Sequence, residues 1–301
     1  MNTKSRVAGA FIGLAVGDAM GAPLERKEFG TFPFETEMGG GGPYELPPGA
    51  WTDETATSLC LAQSLLVTHE LNVYDLVERL KKWVETGENT STGSCIGVEQ
   101  KLLNFLANFD RGRTINSNHI FQKAKGSSVL ARVAPIACIH WDDLQSACRI
   151  AKQQSYLTHS SEIVASSCEF LVLVLSHMIA GREWGFILNM PIDNDWPEEI
   201  KAIAGGVWTE KERKDLKSTK NVIDILGSAC WLVNNSESFE EAVTAAVNLG
   251  GNSDTLGAVV GQIAGALYGL ESIPVRWFDQ LAKVEHLTDV AMQMVELSRS
   301  D

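Results

Sequence analysis

The chain has 301 residues, 45% of them hydrophobic and 21% charged, a composition typical of a globular protein with one large domain or two small ones. Its formal net charge of −13 argues against binding to nucleic acid or to an acidic membrane, because both partners need a basic surface. No run of about 18 apolar residues is evident, so we expect no membrane span. The six cysteines are scattered without a CxxC pair, which predicts reduced thiols and a cytoplasmic protein.

The first segment, residues 1–21, begins with basic residues and continues with an apolar stretch, as a signal peptide does. Two glycines and Asp18 interrupt the apolar stretch, and no clean small-residue cleavage site follows it. We therefore expect this segment to form the first core helix.

A long loop is predicted at residues 27–51, which are rich in glycine and proline. A loop of this length within a compact domain is usually functional or disordered. Its four consecutive glycines, 39–42, come shortly before a polar cluster and favour a loop that closes over a ligand.

Helical periodicity dominates the rest of the chain. Residues 72–85 place apolar side chains on one face at helical spacing, with Asn72 as N-cap. Residues 160–181 begin at one of two serines and end at Gly181, and their length favours a buried helix over a buried strand. We expect further helices at 221–235, 238–251 and 255–270, and loops near 85–97, 108–135 and 189–208. Because alternation of period two is hard to find, we predict an all-α fold and one domain, residues 1–301.

Glycines recur every four residues in the last of these helices, at Gly257, Gly261 and Gly265. This spacing is typical of a membrane helix dimer or of close packing between helices in a protein core. Gln262 and Tyr268 and the short length of the segment favour packing in a core.

Two polar clusters, far apart in the sequence, each follow a turn and precede an apolar helix. They comprise Thr52, Asp53 and Glu54, and then Asn252, Ser253, Asp254 and Thr255. One interpretation is N-capping, because these residue types satisfy the free N–H groups of a first helical turn. The other is metal binding, since carboxylate, hydroxyl and amide oxygens are ligands that Mg²⁺, Mn²⁺ and Ca²⁺ prefer. The recurrence of the pattern favours a metal, and the absence of His or Cys beside either cluster disfavours zinc.

Four motifs, in this order, resemble the ADP-ribosylglycohydrolase family: GAFIGLAVGDAMGAPLE, PPGAWTDET, NLGGNSDTLGAVVGQIAGALYG and IPVRW. That family includes dinitrogenase-reductase-activating glycohydrolase and the ADP-ribosylarginine hydrolases. The resemblance implies an all-helical domain with two divalent ions, magnesium or manganese, in a central cleft. It places the metal ligands at Thr52, Asp53, Glu54, Asn252, Asp254 and Thr255. It also places Glu25 at the ribose or at the bond to be cleaved.

The chain departs from the family pattern at two positions. Asn252 stands where an aspartate is usual, and its neutral amide predicts a weaker second metal site. Cys95 stands where an aspartate thought to act on the ribose is usual, so no acid–base role is expected there, and a packed thiol is favoured over a chemical role.

Three further residues are expected to contact the ligand by the same resemblance. Ser127 and Ser128 precede a helix and are candidates for binding a pyrophosphate through backbone N–H groups. His159 would contact the adenosine side of the ligand, with a structural role near a helix start as an equal alternative. Nearby Arg132 is a phosphate contact or, preferably, a member of a structural ion pair.

The function that the resemblance implies is hydrolysis of the bond between ADP-ribose and an acceptor, with arginine of a protein as the favoured acceptor. Candidates to stabilise the oxocarbenium-like state and to deprotonate water are Glu25, Asp53 and Glu54. The partner would be an ADP-ribosylated protein or ADP-ribose. The alternatives are an inactive ADP-ribose-binding or crystallin-like relative, an immunity protein that blocks an ADP-ribosyltransferase toxin, and a metal-dependent phosphohydrolase.

Overall fold

Helices account for the regular structure of a computed structural model that describes residues 2–110 and 125–298. No strand occurs within these ranges, and the two isolated β-bridges join Gly41 to Leu46 and Gly126 to Asn221. The predicted all-α class is confirmed. The helices are α1 Thr3–Gly21, α2 Asp53–Thr68, α3 Val73–Thr86, α4 Gln100–Asp110, α5 Ala134–His140, α6 Leu144–Tyr156, α7 Glu162–Ile179, α8 Glu198–Ala204, α9 Val222–Asn234, α10 Phe239–Val247, α11 Ser253–Tyr268, α12 Val275–Gln280 and α13 Val284–Leu297.

An antiparallel pair, α1 and α11, forms the centre of the fold. Gly13 faces Gly261 and Gly17 faces Gly257, so the two backbones touch without side chains between them. A Cβ atom added to Gly17 would lie 1.9 Å from the carbonyl oxygen of Gly257, which leaves no room for any other residue. Close packing of the α11 glycines in the core is thus confirmed. Because the pair is antiparallel, the end of α1 lies beside the start of α11.

Other helices surround this pair. Helices α5, α10 and α13 pack on α1, whereas α7, α9 and α10 pack on α11. Helix α2 packs on α3 and α5 and also contacts both central helices. The N-terminus of α2 is thereby brought to the end of the central pair where α11 begins.

Two apolar segments, Thr3–Leu24 and Glu162–Ile179, are long and apolar enough to span a membrane by length and composition. The prediction of no membrane span was based on uninterrupted apolar runs, whereas an average over a longer stretch tolerates Asp18 and the interrupting glycines. The apolar stretch of Thr3–Leu24 is 94% buried inside the protein, and that of Glu162–Ile179 is 72% buried. Burial of this extent is what core helices need, and it accounts for the hydropathy of both segments.

The predicted helix ends agree closely with the structure. Asn72 caps α3, and its side-chain oxygen accepts a hydrogen bond from the backbone N–H of Asp75 at 3.2 Å. Ser161 precedes α7, and Gly181 lies one residue beyond the cap of that helix with a φ of +85°.

The predicted loops were less accurate. Residues 27–51 contain only one short 3₁₀ turn, Gly42–Tyr44, and are a loop as expected. The predicted loop at 189–208 instead contains α8, whose Ile200 and Ile203 side chains are buried. The predicted loop at 108–135 begins inside α4 and ends in a 3₁₀ turn and the start of α5, and its residues 111–124 lie outside the described ranges. Such short helices carry too few apolar repeats to stand out in a sequence.

Candidate active site

The N-terminus of α2 is held by a carboxylate from α1. Asp18 has no exposed surface, and its two oxygens accept hydrogen bonds from the backbone N–H and hydroxyl groups of Thr52 and Thr55 at 2.6–3.1 Å. Asp18 therefore satisfies N–H groups that the first turn of α2 would otherwise leave free. In the sequence, Asp18 was recognised only as an interruption of an apolar run, although a charge inside a core helix is itself a signal.

The side chains at the two N-cap positions do not cap their helices. Thr52 precedes α2 without a side-chain cap bond, and its hydroxyl donates to Asp18 at 2.7 Å. Asn252 precedes α11, also without a cap bond, and its amide donates to the Ser127 hydroxyl at 3.3 Å. N-capping therefore describes where these residues lie but not what their side chains bind.

The two polar clusters meet in space. The hydroxyl of Thr255, in the first turn of α11, donates a hydrogen bond to Glu54 Oε1, in the first turn of α2. Both clusters line one cavity of about 40 Å³, which we call the acidic cavity. The predicted site residues that line it are Glu25, Asp53, Glu54, Ser127, Ser128, Asn252, Asp254 and Thr255.

Carboxylates in the acidic cavity are crowded together and shielded from water. Burial raises the pKa of Asp53 well above its ordinary value, and the nearby Asp254 raises it further. The pKa of Glu54 is raised in the same way, by burial and then by Asp53. Burial, followed by the charge of Glu25, raises the pKa of Asp254 to about 7. Such a group of buried carboxylates is stable only if it takes up protons or a cation.

Two carboxylate oxygens in this cavity lack a hydrogen-bond partner. Glu25 Oε2 and Glu54 Oε2 are both buried, and neither accepts a hydrogen bond. Orphaned anionic oxygens next to threonine hydroxyl and asparagine amide oxygens fit the ligand preferences of a hard divalent cation. Within residues 2–110 and 125–298, however, no group of three or more His, Cys, Asp or Glu side chains is arranged to hold a metal. The donor chemistry of the cavity therefore fits a cation, and its coordination geometry is not preformed.

Several residues that line the acidic cavity were not predicted from the sequence. Gly97 has a φ of +77°, and a Cβ atom there would lie 2.0 Å from Asp53 Oδ1. Glu99 accepts a hydrogen bond from the Ser128 hydroxyl at 2.9 Å. Gly97 lies two residues after Cys95 and Glu99 lies four residues after it, so the departure from the family pattern at Cys95 was the available signal. Tyr44 and Lys220 complete the cavity. Tyr44 follows the four glycines of the loop that was expected to close over a ligand, whereas nothing in the sequence around Lys220 indicated a site.

A larger groove adjoins the acidic cavity. Its volume is about 770 Å³, and we call it the basic groove because four cations line it: Arg26, Lys101, Lys125 and Lys220. The groove and the cavity share Tyr44, Gly97, Glu99 and Lys220, so one opens next to the other. A ligand that combines an anionic part with a polyol part matches this division of charge.

Comparison with known proteins decides the family. The family model for ADP-ribosylglycohydrolase matches residues 1–301, the whole chain. The chain belongs to the ADP-ribosylglycohydrolase family. Its four motifs therefore identified the family from the sequence correctly, and the enzyme class follows from it.

Individual relatives of this ADP-ribosylglycohydrolase agree. The ADP-ribosylarginine hydrolase Tri1 of Serratia proteamaculans (strain 568) is 35% identical over 295 residues, which are 96% of this chain and 78% of that protein. The ADP-ribosyl-dinitrogen reductase glycohydrolase of Rhodospirillum rubrum is 28% identical over 290 residues, covering 94% and 93% of the two chains. A chain of a solved ADP-ribosylglycohydrolase-related protein complex aligns with a TM-score of 0.86 at 31% identity, over 99% of each chain.

Two predicted site residues of this ADP-ribosylglycohydrolase do not line the acidic cavity. Thr52 is buried and bonded to Asp18, so its side chain supports the start of α2. His159 has no exposed surface, and its ring contacts Thr158 and Lys101. A direct contact of His159 with ligand stays a prediction; in the structure Lys101 Nζ lies 3.1 Å from His159 Nε2.

The structure also shows what Arg132 and Cys95 contact. The preferred ion pair for Arg132 is wrong: this buried guanidinium donates to the neutral oxygens of Gln154 at 3.0 Å and Thr158 at 2.9 Å. Cys95 is half-buried and packs against the hydrophobic core. Burial and the charge of Asp53 raise the pKa of Cys95 to about 11, so the thiol is protonated near neutral pH and is a poor nucleophile.

Proposed function

We propose that the protein hydrolyses the N-glycosidic bond between ADP-ribose and an arginine side chain of a modified protein. The observation that carries this proposal is the meeting of the α2 and α11 clusters in an acidic cavity that adjoins a basic groove. The relative from Serratia proteamaculans, an ADP-ribosylarginine hydrolase, supports arginine as the acceptor. A cytoplasmic location and an immunity role against an ADP-ribosylating toxin stay predictions from the sequence.

The sizes of the two spaces suggest how the substrate lies. The acidic cavity, about 40 Å³, admits a water molecule and the reacting end of a sugar but not a nucleotide. The basic groove, about 770 Å³, has room for the remainder of ADP-ribose. In this arrangement the ribose that carries the acceptor enters the acidic cavity and faces the carboxylates. Ser127 and Ser128 line the same cavity and would contact this end of the ligand.

Carboxylates suit the chemistry of this bond. Cleavage of a ribosyl bond passes through an oxocarbenium-like state, whose positive charge nearby carboxylates stabilise. Glu25, Asp53 and Glu54 are our candidates for this role and for removing a proton from the attacking water. Glu25 Oε2 and Glu54 Oε2 are free to accept that proton, since neither has a hydrogen-bond partner. Without a bound cation, burial and mutual repulsion raise the pKa of Glu54 above that of an exposed carboxylate.

Two divalent cations, Mg²⁺ or Mn²⁺, would complete the proposed site. Their ligands would come from Asp53, Glu54, Asn252, Asp254 and Thr255, and Thr52 is also expected from the family pattern. When bound, such ions polarise a water and orient sugar hydroxyls. The protein side chains of the cavity would hold the ribose, exclude bulk water and receive a proton.

Product analysis tests the proposal. The protein should release ADP-ribose and unmodified arginine from an ADP-ribosylated protein in the presence of Mg²⁺, as read by mass spectrometry. Asp254→Asn should lower the rate by at least about 100-fold, the loss typical of removing one key electrostatic group. Asp289→Asn, an exposed position on α13, is the matched control and should keep the parent rate.

Two results would count against the proposal. Release of AMP in place of ADP-ribose would indicate a phosphohydrolase. Unchanged turnover by Asp254→Asn, with helical circular dichroism equal to that of the parent, would show that the acidic cavity is not where the reaction occurs.

A further inference from the structure

A lysine in the basic groove is held by a buried histidine. Lys101, in the first turn of α4, lines the groove, and its Nζ lies 3.1 Å from Nε2 of His159. His159 has no exposed surface and does not line either space. The histidine therefore contacts a residue of the groove without lining the groove itself.

The direction of this hydrogen bond fixes the state of the ring. A lysine ammonium can only donate, so Nε2 of His159 is the acceptor and Nδ1 carries the ring proton. That proton points to the Thr158 hydroxyl oxygen at 2.9 Å. Burial, and then the charges of Lys101 and Arg132, lower the pKa of His159 to about 3, so the ring stays neutral and stays an acceptor near neutral pH.

The chain of contacts continues into the core. Thr158 also accepts a hydrogen bond from Arg132 Nη2 at 2.9 Å, and Arg132 Nε donates to Gln154 at 3.0 Å. Arg132, Gln154 and Thr158 are all buried. The histidine ring is thus fixed from behind by groups that have little freedom to move.

The backbone of Gly126, which lines the groove, packs against the contact between Lys101 and His159. A Cβ atom added to Gly126 would lie 2.4 Å from His159 Nε2 and 2.6 Å from Lys101 Nζ. Gly126 pairs with Asn221 through an isolated β-bridge, which ties this strip to the start of α9. These contacts restrict the positions that the Lys101 amine can adopt.

The charge of Lys101 is uncompensated among the described residues. Of the other cations in the groove, Arg26 lies 3.3 Å from a Glu25 oxygen and Lys125 lies 3.5 Å from Glu199. Lys220 has no ion pair within the described ranges either, but unlike Lys101 it is not held by a histidine. Lys101 has no carboxylate within ion-pair distance in the described ranges, and the histidine that holds it is neutral. A fixed, unpaired ammonium in a groove beside an acidic cavity suits an anionic group of the ligand.

We propose that Lys101 is a specificity-determining residue that binds phosphoryl oxygens of a nucleoside-diphosphate sugar, and that His159 is its positioning residue. This inference rests on the proposed function, because it assigns the anionic part of that substrate to the groove. Lys101 keeps two ammonium protons for the ligand after its bond to His159. The role of His159 is to hold the ammonium where those protons meet the pyrophosphate.

Binding and kinetics of matched variants test the assignment. Lys101→Met should raise both the Kd for ADP-ribose and the KM for the modified protein at least tenfold, about 1.4 kcal/mol, with kcat within twofold of the parent. Lys4→Met, exposed at the opposite end of α1, is the control and should change neither. His159→Leu should behave like Lys101→Met. His159→Gln, whose side-chain oxygen can replace Nε2 as acceptor, should restore binding to within about threefold.

The outcomes separate the two proposals. If the parent binds and releases ADP-ribose and Lys101→Met does the same with equal Kd and KM, the lysine assignment is overturned while the proposed function stands. If His159→Gln and His159→Leu lose affinity equally, His159 has no positioning role and serves only the core. If the parent neither binds nor releases ADP-ribose, the proposed function is overturned, and the lysine assignment with it.

Discussion

Asp18 shows how one buried residue frees others for chemistry. By accepting hydrogen bonds from Thr52 and Thr55, it stabilises the first turn of α2 from a neighbouring helix. Asp53 and Glu54 therefore do not have to cap the helix that carries them, and both turn towards the acidic cavity. Asp53 and Glu54 are buried away from water and repel each other there. Burial and this repulsion raise the pKa values of both carboxyl groups.

Gly97 should be essential to activity because of its contact with Asp53. Alanine there would place Cβ 2.0 Å from Asp53 Oδ1 and displace that carboxylate. A displacement near 1 Å costs about 100-fold in rate, so Gly97→Ala should lower kcat by about that factor. Gly93→Ala is the control: Gly93 also has positive φ, but a Cβ there meets nothing within 4 Å. Both variants share the backbone strain, and equal loss of activity in both would refute the contact argument.

The raised pKa of Asp254 predicts how stability depends on pH. A buried acid with a folded-state pKa of about 7, against an unfolded value of about 3.9, stabilises the fold most at low pH and loses that contribution as pH rises through 7. In the presence of a chelator, Tm should therefore fall between pH 5 and pH 8. The fall should be smaller in Asp254→Asn, and equal falls in parent and variant would contradict the assignment.

At the scale of elements, the central helix pair sets the register of the site. The contacts of Gly13 with Gly261 and Gly17 with Gly257 fix how α1 lies along α11. The same contacts place Gly21 of α1 against the Ser253 backbone, and the Ser253 hydroxyl donates to the Gly21 carbonyl oxygen at 2.8 Å. Glu25 follows only a few residues later, so backbone packing brings it to the start of α11.

Alanine at Gly261 should therefore destabilise the fold. Its Cβ would lie 2.0 Å from the Gly13 carbonyl oxygen, and overpacking of this kind outweighs the roughly 1 kcal/mol that alanine gains in a helix. We expect the free energy of unfolding of Gly261→Ala to drop by about 2 kcal/mol or more in urea titration. Gly227→Ala in α9 is the control, since its Cβ would meet only Lys211 Nζ at 3.9 Å. It should be neutral or stabilising by up to about 1 kcal/mol, and a similar loss in both variants would refute the packing explanation.

The sequence predicted the helices better than their packing. The glycine spacing in α11 was visible, and α1 carries glycines at the same spacing at positions 9, 13 and 17, yet a one-dimensional pattern does not say which helices pair. Long amphipathic helices such as α3 were found because many apolar repeats support them. Helix α8 was missed because seven residues hold too few.

At the scale of the whole molecule, the site is assembled from segments that lie far apart in the chain. The family motifs allowed both polar clusters and Glu25 to be named in advance, and the structure brings them to one cavity. Lys101 and Lys220 could not be predicted, because isolated charges in loops or at helix starts resemble ordinary surface residues. The net charge of −13 also gave no hint of a groove lined by four cations.

The most direct test of the account is the rate of ADP-ribose release by metal-stripped protein as Mg²⁺ or Mn²⁺ is added back. Protein treated with EDTA should be at least about 100-fold slower than the metal-loaded form, since a bound cation supplies several kcal/mol of stabilisation. Added Mg²⁺ or Mn²⁺ should restore the rate and raise Tm in the parent but not in Asp254→Asn. Full turnover in EDTA would contradict the claim that the carboxylates at the starts of α2 and α11 converge to hold a divalent cation.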